Sequence, residues 1–189
     1  MKSATKDINE IVELCKQGDV EAKRVLYERF SARMFSLCCR YLDNKQDAED
    51  ALIDGFITVF EKINQLRTDN VEGWIYRIVA NTCIAIIKDK NKLILKQDET
   101  VFENYTEVEI DNQERFSKQD LVSAMQALST SQRTIFNMSV IDGYSHQEIC
   151  QILGINYNSL KSMLYQTKVR LRDYLLNLEK QRGQGYENR

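Results

Sequence analysis

Two groups of side chains in this sequence have the types and spacing to do chemistry. Between Asp47 and Ile63 the run DAEDALIDGFITVFEKI carries Asp47, Glu49, Asp50, Asp54 and Glu61 among apolar residues. At roughly 100° per residue, Leu52, Phe56, Val59, Phe60 and Ile63 gather on about a third of a helix, and Asp47, Asp50, Asp54 and Glu61 fall outside that stripe. An acidic face of this kind has the charge to meet a basic protein surface, where complementary potentials steer the encounter and fix its register. The second group lies between Tyr157 and Leu178. There Leu160, Leu164, Thr167, Leu171, Leu175 and Leu178 share one stripe, while Asn158, Lys161, Tyr165, Lys168 and Arg172 cluster about 100° away. Amide, phenol and cations in one row are the donors used on phosphates and on base edges in a major groove.

Catalytic chemistry finds less support. The single histidine, His146, falls inside Ser145-His146-Gln147-Glu148, a capping-box pattern, and is expected at the surface. There is no Gly-rich phosphate loop, and the carboxylates belong to helix faces rather than to a convergent cleft, so the sequence does not read as an enzyme. The five cysteines (Cys15, Cys38, Cys39, Cys83, Cys150) contain no CxxC pair. With one histidine they favour neither a disulfide scaffold nor a zinc site, and no cofactor is expected. Cys15, Cys38, Cys83 and Cys150 sit mostly at apolar phases as buried thiols, with Cys39 outside them.

The elements that must hold these groups are helices. Of 189 residues, 43% are hydrophobic and 29% charged, enough to bury a core, while proline is absent and only 7 glycines occur. No run approaches the roughly 18 apolar residues of a membrane span, and the first twenty residues lack the apolar block of a secretion signal. The expectation is therefore an all-α protein of the cytosol, without membrane insertion. The net charge of -2 conceals an uneven distribution. Residues 1–92 carry 15 basic and 15 acidic side chains, residues 93–120 carry 3 and 8, and residues 121–189 carry 8 and 5. The acidic middle has no sustained apolar period and reads as a tether between two small helical domains, 1–92 and 121–189.

In the first domain, Ile8–Cys15, Val20–Phe30 and Ala32–Leu42 are expected as helices, followed by the acidic one and by 71–92, where Trp74, Ile75, Ile78, Val79, Thr82 and Ile86 are expected to face inward. In the second, Ser129-Thr130-Ser131-Gln132 and Ser145-His146-Gln147-Glu148 both announce helix starts. After the second start, a run of about two turns ends at Gly154, and Asn156 can cap a longer helix from Tyr157 to Leu178. A short helix, a tight turn containing glycine and a longer helix make a helix-turn-helix.

YLDNKQDAEDALIDGFITVFEKI with WIYRIVANTCIAIIKDK, and ALSTSQRTIFNMSVIDGYSHQEICQILGINYNSLKSMLYQTKVRLRDYL, together resemble the two conserved regions of bacterial sigma factors of the extracytoplasmic-function group. The wording of the second half is similar to versions common in the Bacteroidetes lineage. The resemblance implies a non-enzymatic factor that binds core RNA polymerase and directs promoter-specific initiation. It further implies that Asp47, Glu49, Asp50, Asp54 and Phe56 dock on the clamp helices of the largest polymerase subunit. Arg77, Asn81, Lys88, Lys90 and Lys92 would meet the start-proximal -10 promoter element. Asn158, Ser159, Lys161, Ser162, Tyr165, Lys168 and Arg172 would meet the upstream -35 element as duplex DNA. By the apolar phase of its neighbours, Trp74 is expected in the core.

The resemblance also implies an anti-sigma factor as a partner that covers the polymerase-binding surfaces. Departures from the family pattern, Met163 and Gln166-Thr167 in the recognition helix and Asp89 within KDKNK, leave fewer cations. Fewer cations release fewer counterions, so the isolated chain is expected to bind DNA weakly and to gain affinity when polymerase positions both domains. The alternative reading is a stand-alone dimeric helix-turn-helix regulator, which would need two recognition helices about one turn of DNA apart.

Overall fold

A computed structural model describes residues 7–90 and 116–184. The chain divides into two compact units, Met1–Lys90 and Asn91–Arg189, and the described residues of both are helical, with no strand among them.

The first unit opens with α1 (Ile8–Lys16), which buries Ile11, Val12 and Cys15 and stops at Gly18, whose φ of 88° lies in the left-handed region. Asp19 then caps α2 (Val20–Tyr41), its carboxylate accepting the Ala22 N–H at 2.7 Å. The two segments expected on either side of Ser31 are one continuous helix of 22 residues. Neither proline nor glycine interrupts it, and a lone serine costs too little helix propensity to break a helix with a buried stripe of Leu26, Phe30, Met34, Leu37 and Tyr41.

Asn44 caps α3 (Lys45–Lys62), and a short 3-10 turn at Ile63–Gln65 leads round to α4 (Val71–Lys90). Helices α3 and α4 touch closely because residue 55 is glycine: a Cβ there would come within 3.0 Å of Val79 Cγ2 and 3.4 Å of Val79 Cα.

The inward face of α4 departs from expectation. Val71, Ile75, Val79, Ala80, Cys83, Ile84 and Ile87 are buried, whereas Trp74, Ile78, Thr82 and Ile86 are only half-buried. Both α2 and α3 pack on α4, so the buried arc is wider than one stripe and is centred on the small residues Ala80 and Cys83, where backbones approach. Cys38 of α2 and Cys83 of α4 are fully buried with their thiols hydrogen-bonded to each other. Cys15 is also buried, Cys39 is exposed, and Cys150 is half-buried where the core was expected.

The second unit is built on helix starts. Ser117, Ser129 and Ser145 each close a reciprocal capping box, with Asp120, Gln132 and Glu148 respectively, at the heads of α5 (Lys118–Gln126), α6 (Thr130–Phe136) and α7 (His146–Leu153). Helix α5 starts inside the stretch expected as tether. A single π turn, Asn137–Ile141, extends α6, and Gly154 ends α7 at φ 69°. Asn156 accepts the Ser159 N–H at 2.8 Å at the head of α8 (Tyr157–Gln184), which runs beyond the expected Leu178. The stripe Leu160, Leu164, Thr167, Leu171 and Leu175 is buried as expected, together with Ile135, Met138, Ile149 and Leu153.

The far end of α8 is fastened to the head of α5. Arg182 donates to both carboxylate oxygens of Asp120, at 2.6 and 3.0 Å, while the same carboxylate accepts the Ser117 N–H. Held first by Arg182 and then by Ser117, the Asp120 carboxyl titrates at about 2. A carboxyl depressed on folding contributes stability above its ordinary value and loses it as pH falls through the folded value. In thermal melts, Asp120→Asn is therefore expected to lower the melting temperature at neutral pH, and the gap to wild type should close between about pH 4 and about pH 2. A gap that stays constant over that window would show that the pair does not stabilise the fold.

Candidate nucleic-acid interface

On α3 the carboxylates of Glu49, Asp50 and Asp54 reach solvent. Asp47 is held back: it accepts from Asn44 at the helix cap and from the Lys90 ammonium of α4. Lys90 is the main reason its carboxyl titrates below the ordinary aspartate range. Phe56, expected at the docking face, is instead in the core with 2% of its surface exposed. Its ring lies edge-on to Tyr27 at 4.8 Å and tilted against Phe60 at 6.0 Å, because it shares the phase of Leu52 and Val59 rather than that of the acids.

Residues that the sequence reading passed over take its place at the surface. Ile53 and Ile57 are 53% and 51% exposed, one turn apart, beside Asp50 and Asp54. Isoleucine at a phase shared with acids, off the core stripe, was the sequence signal for this apolar ridge.

On α4, Arg77, Asn81 and Lys88 lie within about 40° of one another, with Trp74 next to them. Asn81 and Lys88 are exposed; Arg77 and Trp74 are half-buried. This row can offer cations to phosphates, an amide to a base edge and an indole edge to an unstacked base. Lys90 does not belong to it. Two residues past Lys88 is about 200° of rotation, and that carries Lys90 to the α3 side, where it pairs with Asp47. Lys92 lies outside the described residues.

In the helix-turn-helix of α7 and α8, Asn158 and Lys161 are exposed and Tyr165, Lys168 and Arg172 are half-buried on the same flank of α8, whereas Ser159, also half-buried, falls about 100° or more round the helix from that row. Arg172 also reaches Asp173, at 3.2 Å, which offsets part of its charge. Ser162 is buried at 5% exposure, so it cannot present its hydroxyl to DNA as expected. Its Oγ accepts from Gln166 at 3.4 Å, although its phase lies on the far side of α8 from the leucine stripe. Tyr157, the first residue of α8, is 50% exposed and was not singled out by the sequence reading.

The chain matches the family model described as Sigma-70 region 2 over residues 26–93 and that described as Sigma-70, region 4 over residues 118–171. Among curated relatives it is 28% identical over 157 residues to the ECF RNA polymerase sigma factor SigE of Mycolicibacterium smegmatis, covering 79% of this chain and 60% of that protein. It is 26% identical over 186 residues to the ECF RNA polymerase sigma factor SigW of Bacillus subtilis, covering 90% of this chain and 98% of that one. Among solved structures, the sigma factor RpoE of Bartonella quintana, crystallised with the anti-sigma factor NepR, aligns at 18% identity and a TM-score of 0.49, covering 82% of this chain and 98% of that one.

The placement of the two lysines separates their roles. Each lost phosphate contact lowers the slope of log affinity against log salt by about 0.9 on duplex DNA, and by somewhat less on single strands. Lys88→Gln is expected to reduce that slope in binding titrations with promoter DNA and core RNA polymerase, and Lys90→Gln to leave it unchanged. Equal reductions would return Lys90 to the DNA face.

Proposed function

We propose that the chain is a sigma factor of the sigma-70 family, in its extracytoplasmic-function group, that binds core RNA polymerase and directs promoter-specific transcription initiation. The observation that carries this reading is the presence of both family regions in one chain, in the order region 2 then region 4, each with a surface of suitable chemistry. The polymerase partner is met by α3. Glu49, Asp50 and Asp54 supply charge against the basic clamp helices of the largest subunit, and Ile53 with Ile57 supplies apolar area between them. Burying the exposed half of each isoleucine contributes on the order of 1 kcal/mol, and the acids add speed and register more than affinity.

Promoter DNA is met twice. Arg77, Asn81 and Lys88 of α4 address the -10 element, with Trp74 at the edge of the row. Asn158, Lys161, Tyr165, Lys168 and Arg172 of α8 address the -35 element from the major groove. The two helical units serve as the two binding domains, the second beginning at the Ser117 cap of α5 and not at 121, and the stretch between them is the tether whose length sets how readily both engage at once. The factor catalyses nothing itself and works where the polymerase is, in the cytoplasm. An anti-sigma factor that covers the α3 face would silence it. A stand-alone dimeric regulator has no use for the acidic and apolar α3 face.

The test is a reconstituted transcription assay with core RNA polymerase on genomic promoter fragments. Asp50→Lys and Ile57→Glu are each expected to lower promoter-specific transcripts about tenfold or more, the equivalent of roughly 1.4 kcal/mol of docking free energy, with their helical circular dichroism unchanged. Transcript levels equal to wild type for both variants would refute docking through α3.

A further inference from the structure

His146 and Tyr157 lie at the first positions of the two helices of the helix-turn-helix, α7 and α8, and the fold brings their rings together. The centroids are 5.8 Å apart with the planes tilted by 57°. The Lys161 ammonium, one turn along α8, sits 5.7 Å from the centre of the Tyr157 ring. The phenol ring is thus braced by a ring from one helix and a cation from the other, while half its surface remains in solvent. Neither of those two contacts uses its hydroxyl. An aromatic side chain fixed at two points and still exposed has lost its rotamer freedom in advance, which lowers the cost of a contact it goes on to make.

The position of that ring on α8 says what it can touch. Tyr157, Lys161 and Lys168 fall within about 40° of one another, so the donor row of the recognition helix begins a full turn earlier than Lys161. The first residues of a recognition helix are those that reach base edges, while the preceding helix crosses the backbone. Base edges in the major groove present donors and acceptors with a single apolar feature, the C5 methyl of thymine. Phosphates along the path are matched by Lys161 and Lys168. A braced phenol ring, uncharged and half-exposed among those cations, has its best complement in that methyl.

We infer that Tyr157 is a specificity-determining residue that packs its ring on the C5 methyl of one thymine in the upstream promoter element, with His146 as the positioning residue that holds the ring. The inference rests on the reading of α8 as the upstream-element reader, and it adds to that reading which base is selected and by which group.

The experiment uses the full chain bound to core RNA polymerase and a promoter duplex containing the upstream element. Each thymine of the element is replaced in turn by deoxyuridine, which removes the methyl and nothing else, and affinity is measured by equilibrium competition. Wild type is expected to lose about two- to fourfold at one thymine, the worth of a partly buried methyl group. Tyr157→Ala should lose nothing further at that thymine, and Tyr157→Phe, which keeps the ring, should lose as much as wild type. His146→Ala should shrink the methyl effect and His146→Phe restore it, a pattern that general loss of folding does not produce. The salt dependence of binding should be the same in wild type and Tyr157→Ala.

If no thymine shows a methyl effect that depends on Tyr157, the contact is overturned. A loss of affinity in Tyr157→Phe as large as that in Tyr157→Ala, and the same on thymine and deoxyuridine duplexes, overturns it in favour of a contact made by the hydroxyl, as to a phosphate. Lys161→Ala and Arg172→Ala serve as controls: if they leave upstream binding untouched, it is the assignment of α8 to the promoter that fails, and the methyl contact falls with it.

Discussion

The close crossing of α3 over α4 at Gly55 and Val79 is the constraint on which the first unit depends. With only hydrogen at position 55, the helix backbones approach until Val79 fills the space a Cβ would need. The two helices run antiparallel from that point. Near one end the Lys90 ammonium closes on Asp47 and on the α3 cap, and near the other the 3-10 turn at Ile63–Gln65 begins the connection to α4. A helix with an acidic and apolar outer face and a helix with a row of Arg77, Asn81 and Lys88 are therefore one rigid pair. A partner seated on the first fixes the position of the second without any motion inside the unit, and the packing density of a protein core lets little of that alignment relax.

The second unit reaches rigidity by other means. Its helices α5, α6 and α7 are short, with 9, 7 and 8 residues, lengths that are marginal on their own in water. Three reciprocal capping boxes satisfy backbone donors that would otherwise be orphaned at their heads. Helix α8, at 28 residues, is the spine against which they pack. Ala124 and Leu128 of the α5 region meet Leu171 and Leu175 of α8, and the Asp120 to Arg182 pair fastens the same two elements beyond that cluster. The flank of α8 that carries Lys161, Lys168 and Arg172, proposed to face DNA, is thereby held on a scaffold whose own contacts lie on a stripe about 100° away.

Much of this was legible in the sequence, and some of it was not. Helix starts at Ser129, Ser145 and Asn156 follow from local chemistry, in which a hydroxyl or amide and a partner three residues on satisfy each other, so no tertiary information was needed. The all-helical character follows from the absence of proline and the scarcity of glycine. What periodicity cannot supply is the absolute orientation of a helix that packs on two neighbours. The α4 arc is widened by contact with both α2 and α3, which leaves Trp74 half-exposed. Phe56, Ser162 and Lys90 were assigned to surfaces by the family resemblance and not by phase: Phe56 already shared the apolar stripe of Leu52 and Val59, Ser162 turns out buried, and the rotation of about 200° from Lys88 carries Lys90 away from the other cations. Asp120 and Arg182 are 62 residues apart in sequence, a pairing that only the packing of α5 on α8 creates.

On the proposed reading, two rows facing DNA with few cations each make a chain whose grip on a promoter depends on being held at two places at once. Hydroxyl-radical footprinting of a promoter fragment tests this directly, with the chain alone and with core RNA polymerase. The expected result is no specific protection by the chain alone and, with polymerase, two separated protected patches. Replacing Lys161, Lys168 and Arg172 together by alanine should erase the upstream patch first. A symmetrical footprint over an inverted repeat, produced by the chain without polymerase, would contradict the account.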